Sequence, residues 1–268
     1  METLKALTEF YSNYDEEGRL LSRHGSVEYL TTMRYIEKYL KPGMRILEIG
    51  AATGRYSHAL ARMGYRVDAV ELVQHNIDLF RANTQSGEEI TITQGNAKDL
   101  YFLEDNAYDL VLLLGPMYHL FTVAEQKQAL SEALRVTKPG GILMAAYCGN
   151  DATMVQYCFG KGMLLEEENR KLIDFSTFKA SSDPAKLFQL YRKEDIDELM
   201  ADYQTVRLHY VGTDMATNYM RPAIDAMEEE LFQLYLQYHF IICERSDMVG
   251  TSHHILDIHR KLPLASNL

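Results

Sequence analysis

The stretch Ile46-Leu47-Glu48-Ile49-Gly50-Ala51-Ala52-Thr53-Gly54-Arg55-Tyr56-Ser57 runs from an apolar segment through a small-residue loop into a helix start. Gly50 and Gly54 permit a tight turn and a close approach of backbone to ligand. A loop that opens a helix N-terminus favours partial negative charge, such as a carboxylate. Glu71 stands 17 residues beyond Gly54, at the end of the next apolar segment. A carboxylate there can accept hydrogen bonds from ribose hydroxyls. Together these residues predict an adenosine-type cofactor across the carboxyl ends of the strands. The dinucleotide pattern G-x-G-x-x-G would need glycine at 50, 52 and 55. Ala52 and Arg55 stand at two of those places, so a cofactor without pyrophosphate fits better.

Such a loop needs strands and helices to hold it. Ser26–Leu40 places Tyr29, Met33, Ile36 and Leu40 at helical spacing, with Ser26 as the expected N-cap and Pro42-Gly43 as the stop. Strands are predicted at 44–49, 65–71, 90–94, 108–114 and 142–147. Helices are predicted between them at 55–63, 74–84 and 124–136. This alternation predicts a doubly wound, mostly parallel sheet with helices on both faces. Beyond residue 150 the rhythm breaks. Helices are expected at 151–170, 193–200 and 222–242, and strands at 205–211 and 252–259. Residues 150–190 and 214–250 then read as cap insertions on one domain spanning 44–268, preceded by a helical segment, 1–43.

The 268 residues carry 27 Lys plus Arg against 38 Asp plus Glu, a formal charge of −11. That balance argues against nucleic acid or an anionic membrane as the main partner. No apolar run is long enough for a bilayer, and the N-terminus lacks a secretion-type apolar region. Three cysteines, none in a CxxC, suggest free thiols and a cytoplasmic location. His253 and His254 are neighbours on an expected strand and point to opposite faces, so no metal is expected.

The chain resembles the class I S-adenosylmethionine (SAM)-dependent methyltransferases. Their first motif, E/D-x-G-x-G-x-G, stands here as Glu48-Ile49-Gly50-Ala51-Ala52-Thr53-Gly54, with Ala52 in place of the middle glycine. An acid ends strand two (Glu71), Gly95-Asn96-Ala97 follows strand three, and Arg135–Gly141 precedes strand five. Leu114-Gly115-Pro116-Met117-Tyr118-His119-Leu120 is similar to a bacterial subgroup of small-molecule type, mostly of unassigned substrate. The resemblance implies a Rossmann-like methyltransferase fold with seven strands and a helical cap. It implies SAM as cofactor, with S-adenosylhomocysteine (SAH) as product. Glu48 with Gly50, Ala51, Ala52 and Gly54 would cradle the methionine half, and Glu71 would bind the ribose. Leu72 and Val73 would flank the adenine, Asn96 and Ala97 would read its edge, and Leu114 would offer a carbonyl to the amino group. Tyr11, Tyr14 and Arg19 would belong to a lid, while Tyr118 and His119 would face the reactive methyl, His119 as a base. The implied reaction is in-line methyl transfer to a small-molecule acceptor, by a monomer or homodimer. Its rivals are a nucleic-acid or protein methylase, an NAD(P)-dependent oxidoreductase and a non-catalytic SAM-binding protein. Gly115-Pro116-Met117-Tyr118 lacks the [D/N]-P-P-[Y/F/W] pattern of base and amide methylases.

Overall fold

In a computed structural model of the chain, residues 2–13, 22–182 and 188–263 are described. Helices α1 (Glu2–Asn13) and α2 (Arg23–Tyr39) precede an alternating series. That series is β1 (Arg45–Ile49), α3 (Arg55–Arg62), β2 (Arg66–Glu71), α4 (Gln74–Asn83), β3 (Ile90–Gln94), β4 (Tyr108–Leu113), α5 (Val123–Val136) and β5 (Thr137–Gly149). Then come the short α6 (Asn150–Thr153), α7 (Glu167–Arg170), β6 (Ile173–Asp174), β7 (Lys179–Ala180) and β8 (Leu190–Tyr191). The chain ends through α8 (Lys193–Met200), β9 (Thr205–Gly212), α9 (Arg221–Asp225), α10 (Glu229–Ile242) and β10 (His254–Lys261).

The main sheet runs β3-β2-β1-β4-β5-β10-β9. β10 is antiparallel to both neighbours, while the strands from β3 to β5 are parallel. An eighth strand, β8, joins the seven by pairing with Cys148 and Gly149 of β5. β1 and β4 lie side by side, and the chain winds outward from them in both directions. Ligands bind at such a switch point, beyond the carboxyl ends of the strands.

Alternation along the strands sorts side chains onto two faces. Leu47, Ile49, Val111 and Leu113 pack with Ala129, Leu130 and Ala133 of α5 and Ile196 of α8. Ile46, Leu110 and Leu112 pack on the other face with Ile36 of α2 and Leu60 of α3. The sheet is thus covered on both sides, which is why β4 is apolar from Leu110 to Leu113.

Three expected elements differ. Ser22, not Ser26, caps α2 and accepts from the Gly25 amide. The expected helix 151–170 is broken: α6 runs into a π-helical turn, Met154–Phe159, and Gly162, at φ +71°, precedes a separate turn, Met163–Leu165. The expected helix 222–242 is two, α9 and α10, parted at Ala226–Glu228. Arg23 takes the Met227 carbonyl with its guanidinium, and His24 donates to Asp225 at 2.9 Å, so α2 holds the break open. Among the described residues no helix is long and apolar enough to cross a membrane.

Candidate active site

The loop after β1 is built from left-handed backbone. Gly50 has φ +76°, Ala52 +46° and Gly54 +90°. A Cβ on Gly50 would lie 2.6 Å from Pro116 Cδ. Glycine therefore lets the β1 and β4 loops meet at the switch point. The Gly50 and Ala51 amides donate to the Val70 carbonyl at 2.8 and 3.1 Å, which ties this loop to β2.

Glu71 closes β2 with only 6% of its surface exposed. Its Oε2 accepts from the Ala52 amide at 2.9 Å, and its Oε1 from the Val73 amide at 2.8 Å. Burial raises its pKa, and these donors oppose the rise. An ionised carboxylate offers about four acceptor positions, so Oε2 retains capacity toward a ligand.

A cavity of about 1000 Å³ opens at this point. Its lining includes Gly50, Ala52, Glu71, Leu72, Val73, Asn96, Ala97, Leu114, Tyr118, His119 and Tyr11. Asn96 folds into a turn, its Oδ1 accepting from the Lys98 amide at 3.0 Å. Tyr118 and His119 sit on a 3₁₀ turn, Pro116–His119, directly after β4. The Tyr11 hydroxyl of α1 lies 2.9 Å from His119 Nε2. Phe188 approaches His119 at 5.6 Å between ring centroids, and Phe10 at 6.0 Å.

Glu48 and Ala51 lie outside this cavity. They line a small adjoining pocket of about 60 Å³ that shares Gly50, Ala52, Leu114 and Tyr118 with it. Glu48 is buried and accepts the Ser57 hydroxyl. Burial pushes its pKa up to about 8. Gly54 lines neither space; a Cβ there would strike Phe80 and His58 behind the loop. Tyr14 and Arg19 lie outside the described residues.

Sequence reasoning missed a second group on the cavity wall. Glu28, Asp214 and His254 bring one donor atom each within 4.8 Å of one another. They come from α2, the turn after β9 and the start of β10, so no local motif signals them. Asp214 is fully engaged. Its Oδ1 accepts from the Ser252 hydroxyl at 2.6 Å and the His253 amide at 2.9 Å, and its Oδ2 pairs with His254 Nδ1 at 2.7 Å and the Asn218 amide. Burial would raise its pKa, but the neighbouring His254 and the other donors hold it well below the usual carboxylate range. With both oxygens engaged, this carboxylate reads as a hydrogen-bonded node.

Residues 47–145 match the methyltransferase domain family. A demethylmenaquinone methyltransferase from Renibacterium salmoninarum is 36% identical over 105 residues, 39% of this chain and 41% of that protein. A ubiquinone biosynthesis O-methyltransferase from Methylocella silvestris is 34% identical over 128 residues, 47% of this chain and 48% of that one. The chain thus spans about half the length of the curated relatives it matches. The solved structure of a SAM-dependent methyltransferase from Methanosarcina mazei superimposes with TM-score 0.57 at 18% identity, covering 86% of this chain and 98% of that one. Residues 47–145 thus match the methyltransferase domain, and with its sheet order and its β1 loop the chain has the fold of a SAM-dependent methyltransferase.

Proposed function

We propose that the protein transfers a methyl group from SAM to a small-molecule acceptor. One observation carries this reading: a single cavity runs from the buried acid of β2 past Leu114 to His119. Its volume lies at the top of the roughly 300–1,000 Å³ common for ligand sites, with room for cofactor and acceptor together.

The residues fit SAM. Glu71 keeps acceptor capacity for ribose hydroxyls, and Leu72 and Val73 offer apolar flanks for a purine beside Asn96 and Ala97. Ala52 carries a Cβ in the place where a pyrophosphate would need bare backbone. Glu48 and Ala51 back the loop from the small pocket, and the Leu114 carbonyl is the acceptor for an ammonium. SAM supplies a methyl group already activated on sulfur. The protein's task is then alignment and exclusion of water, and alignment is worth roughly 7–11 kcal/mol. Tyr118 shapes the acceptor end, and His119 takes a proton from an acceptor that carries one. Helix α1 acts as the lid, with Tyr11 closing on His119, and the segments 150–190 and 214–250 form the cap. Three buried, unbridged cysteines support a reducing, cytoplasmic setting.

Calorimetry with SAH and with NAD⁺ tests the reading. SAH is expected to bind and NAD⁺ to fail. Glu71→Ala should weaken SAH by about 1–3 kcal/mol, the penalty for leaving ribose hydroxyls unpaired. NAD⁺ binding in place of SAH, or an unchanged SAH affinity in the variant, overturns the cofactor assignment.

A further inference from the structure

Arg221 lines the cavity on the wall supplied by the last third of the chain. Its Nε donates to Asn218 Oδ1 at 2.6 Å, and its Nη2 reaches the Tyr157 hydroxyl at 3.4 Å. Both partners are neutral. No ion pair joins Arg221 to any carboxylate among the described residues, in a chain with 38 acids against 27 Lys plus Arg. Two acids stand near it: Asp225, whose pKa Arg221 helps to lower, is held by His24, and Asp214 is occupied by Ser252, His253, His254 and Asn218. Asn218 bridges the two, accepting from Arg221 and donating to Asp214. The guanidinium is therefore oriented by neutral groups, with its Nη1 donors unassigned.

His253 belongs to the same wall. It is 7% exposed, and neither ring nitrogen has a partner. The rings of Tyr157 and Tyr219 flank it at centroid distances of 5.7 and 5.3 Å. Buried polar atoms without partners are uncommon in folded proteins, and each calls for an explanation.

We infer that this wall is the acceptor's docking end and that it takes a carboxylate, so the methyl acceptor is a small organic acid. The inference rests on the methyltransferase reading for the word acceptor, but not for the anion site itself. A planar guanidinium matches a carboxylate with two parallel hydrogen bonds. A single arginine near the acids Asp214 and Asp225 suits a monoanion better than a phosphate dianion. Tyr157, Tyr118 and Phe188 line the same space and suit an aromatic or apolar body.

The test uses the full chain, titrated with phenylacetate, phenylacetamide and phenyl phosphate, each with and without saturating SAH. Phenylacetate is expected to bind at least tenfold tighter than the isosteric amide. In Arg221→Gln that preference should fall below twofold while SAH affinity stays within twofold, which also reports that the variant is folded. Arg221→Lys should keep part of the preference. Equal binding of acid and amide, or no binding of either, overturns the inference. So does a preference that survives Arg221→Gln, or tighter binding of phenyl phosphate than of phenylacetate. If SAH fails to bind while the acid preference holds, the methyltransferase reading falls and the carboxylate site stands.

Discussion

Gly54 combines φ +90° with a virtual Cβ 2.5 Å from Phe80 Cδ2, whereas Gly64 has φ +88° and nothing within 4 Å. The pair separates two reasons for glycine. A left-handed L-residue costs about 1–2 kcal/mol, and overpacking a core adds about 1–3 kcal/mol. Gly64→Ala should therefore lose only the backbone part, and Gly54→Ala about 2–5 kcal/mol, read by urea unfolding. Equal losses would show that Phe80 yields without cost. The motif's last glycine is thus explained here by packing behind the loop, not by contact with the cavity. Ala52, at φ +46°, already carries the left-handed penalty. His119 poses a different question, because its ring lines the cavity beside Tyr11 and Phe188. With an identified acceptor, His119→Gln should lower kcat by about 10²–10⁴-fold, the usual range for a general base, with SAH affinity unchanged. An unaltered kcat would leave the ring a positioning role alone.

The elements before residue 150 were legible because their apolar periods are long and regular. β4 after Asp109 and β5 from Ile142 to Cys148 are continuous apolar runs, and Gly64 closes the turn between α3 and β2. The later part was not, for physical reasons that differ by segment. Gly160 and Gly162 stand inside the stretch 151–170, and the break there was readable in principle. The parting of α9 from α10 was not, because it is imposed by Arg23 and His24, some 200 residues earlier. β8 is two residues long and exists only because β5 outruns β4 and leaves an edge at Cys148. The end of the cavity lined by Gly50, Ala52 and Glu71 was visible as motifs, whereas the Asp214 and Arg221 wall joins residues with no common spacing. Helix α1 is the element most open to test. Tyr11→Phe keeps the ring and removes the hydroxyl at His119, a loss of about 1 kcal/mol. Local opening of α1 should then rise roughly fivefold, seen by amide hydrogen exchange within Glu2–Asn13, with the melting temperature of the sheet unmoved. Exchange that does not change would detach α1 from His119 in solution.

At the scale of the whole molecule, buried titratable groups give stability a maximum in pH. Burial lowers the pKa of His239 and of His253 to about 4. The unfolded chain binds protons at these residues below about pH 6.5, while the folded chain resists until about 4. Stability is then lost as pH falls through that window, by up to a few kcal/mol for each ring. Glu48 acts in the opposite sense. Burial raises its pKa to about 8, so the folded protein holds a proton that the unfolded chain releases above about pH 4.5. Its contribution is complete below that value and is lost as pH rises to 8. Glu71, also raised by burial, adds to the same falling limb. Below pH 6.5 two histidines outweigh the acids, and above it only the acids change, so stability should peak near pH 6.5. Urea midpoints measured from pH 4.5 to 8.5 check this. Glu48→Gln should flatten the descent above the peak, and His239→Leu should abolish the rise below it, because one histidine then stands against the same acids. A wild-type profile that climbs steadily to pH 8 would mean that Glu48 is ionised in the folded protein and that its partner, Ser57, holds an anion.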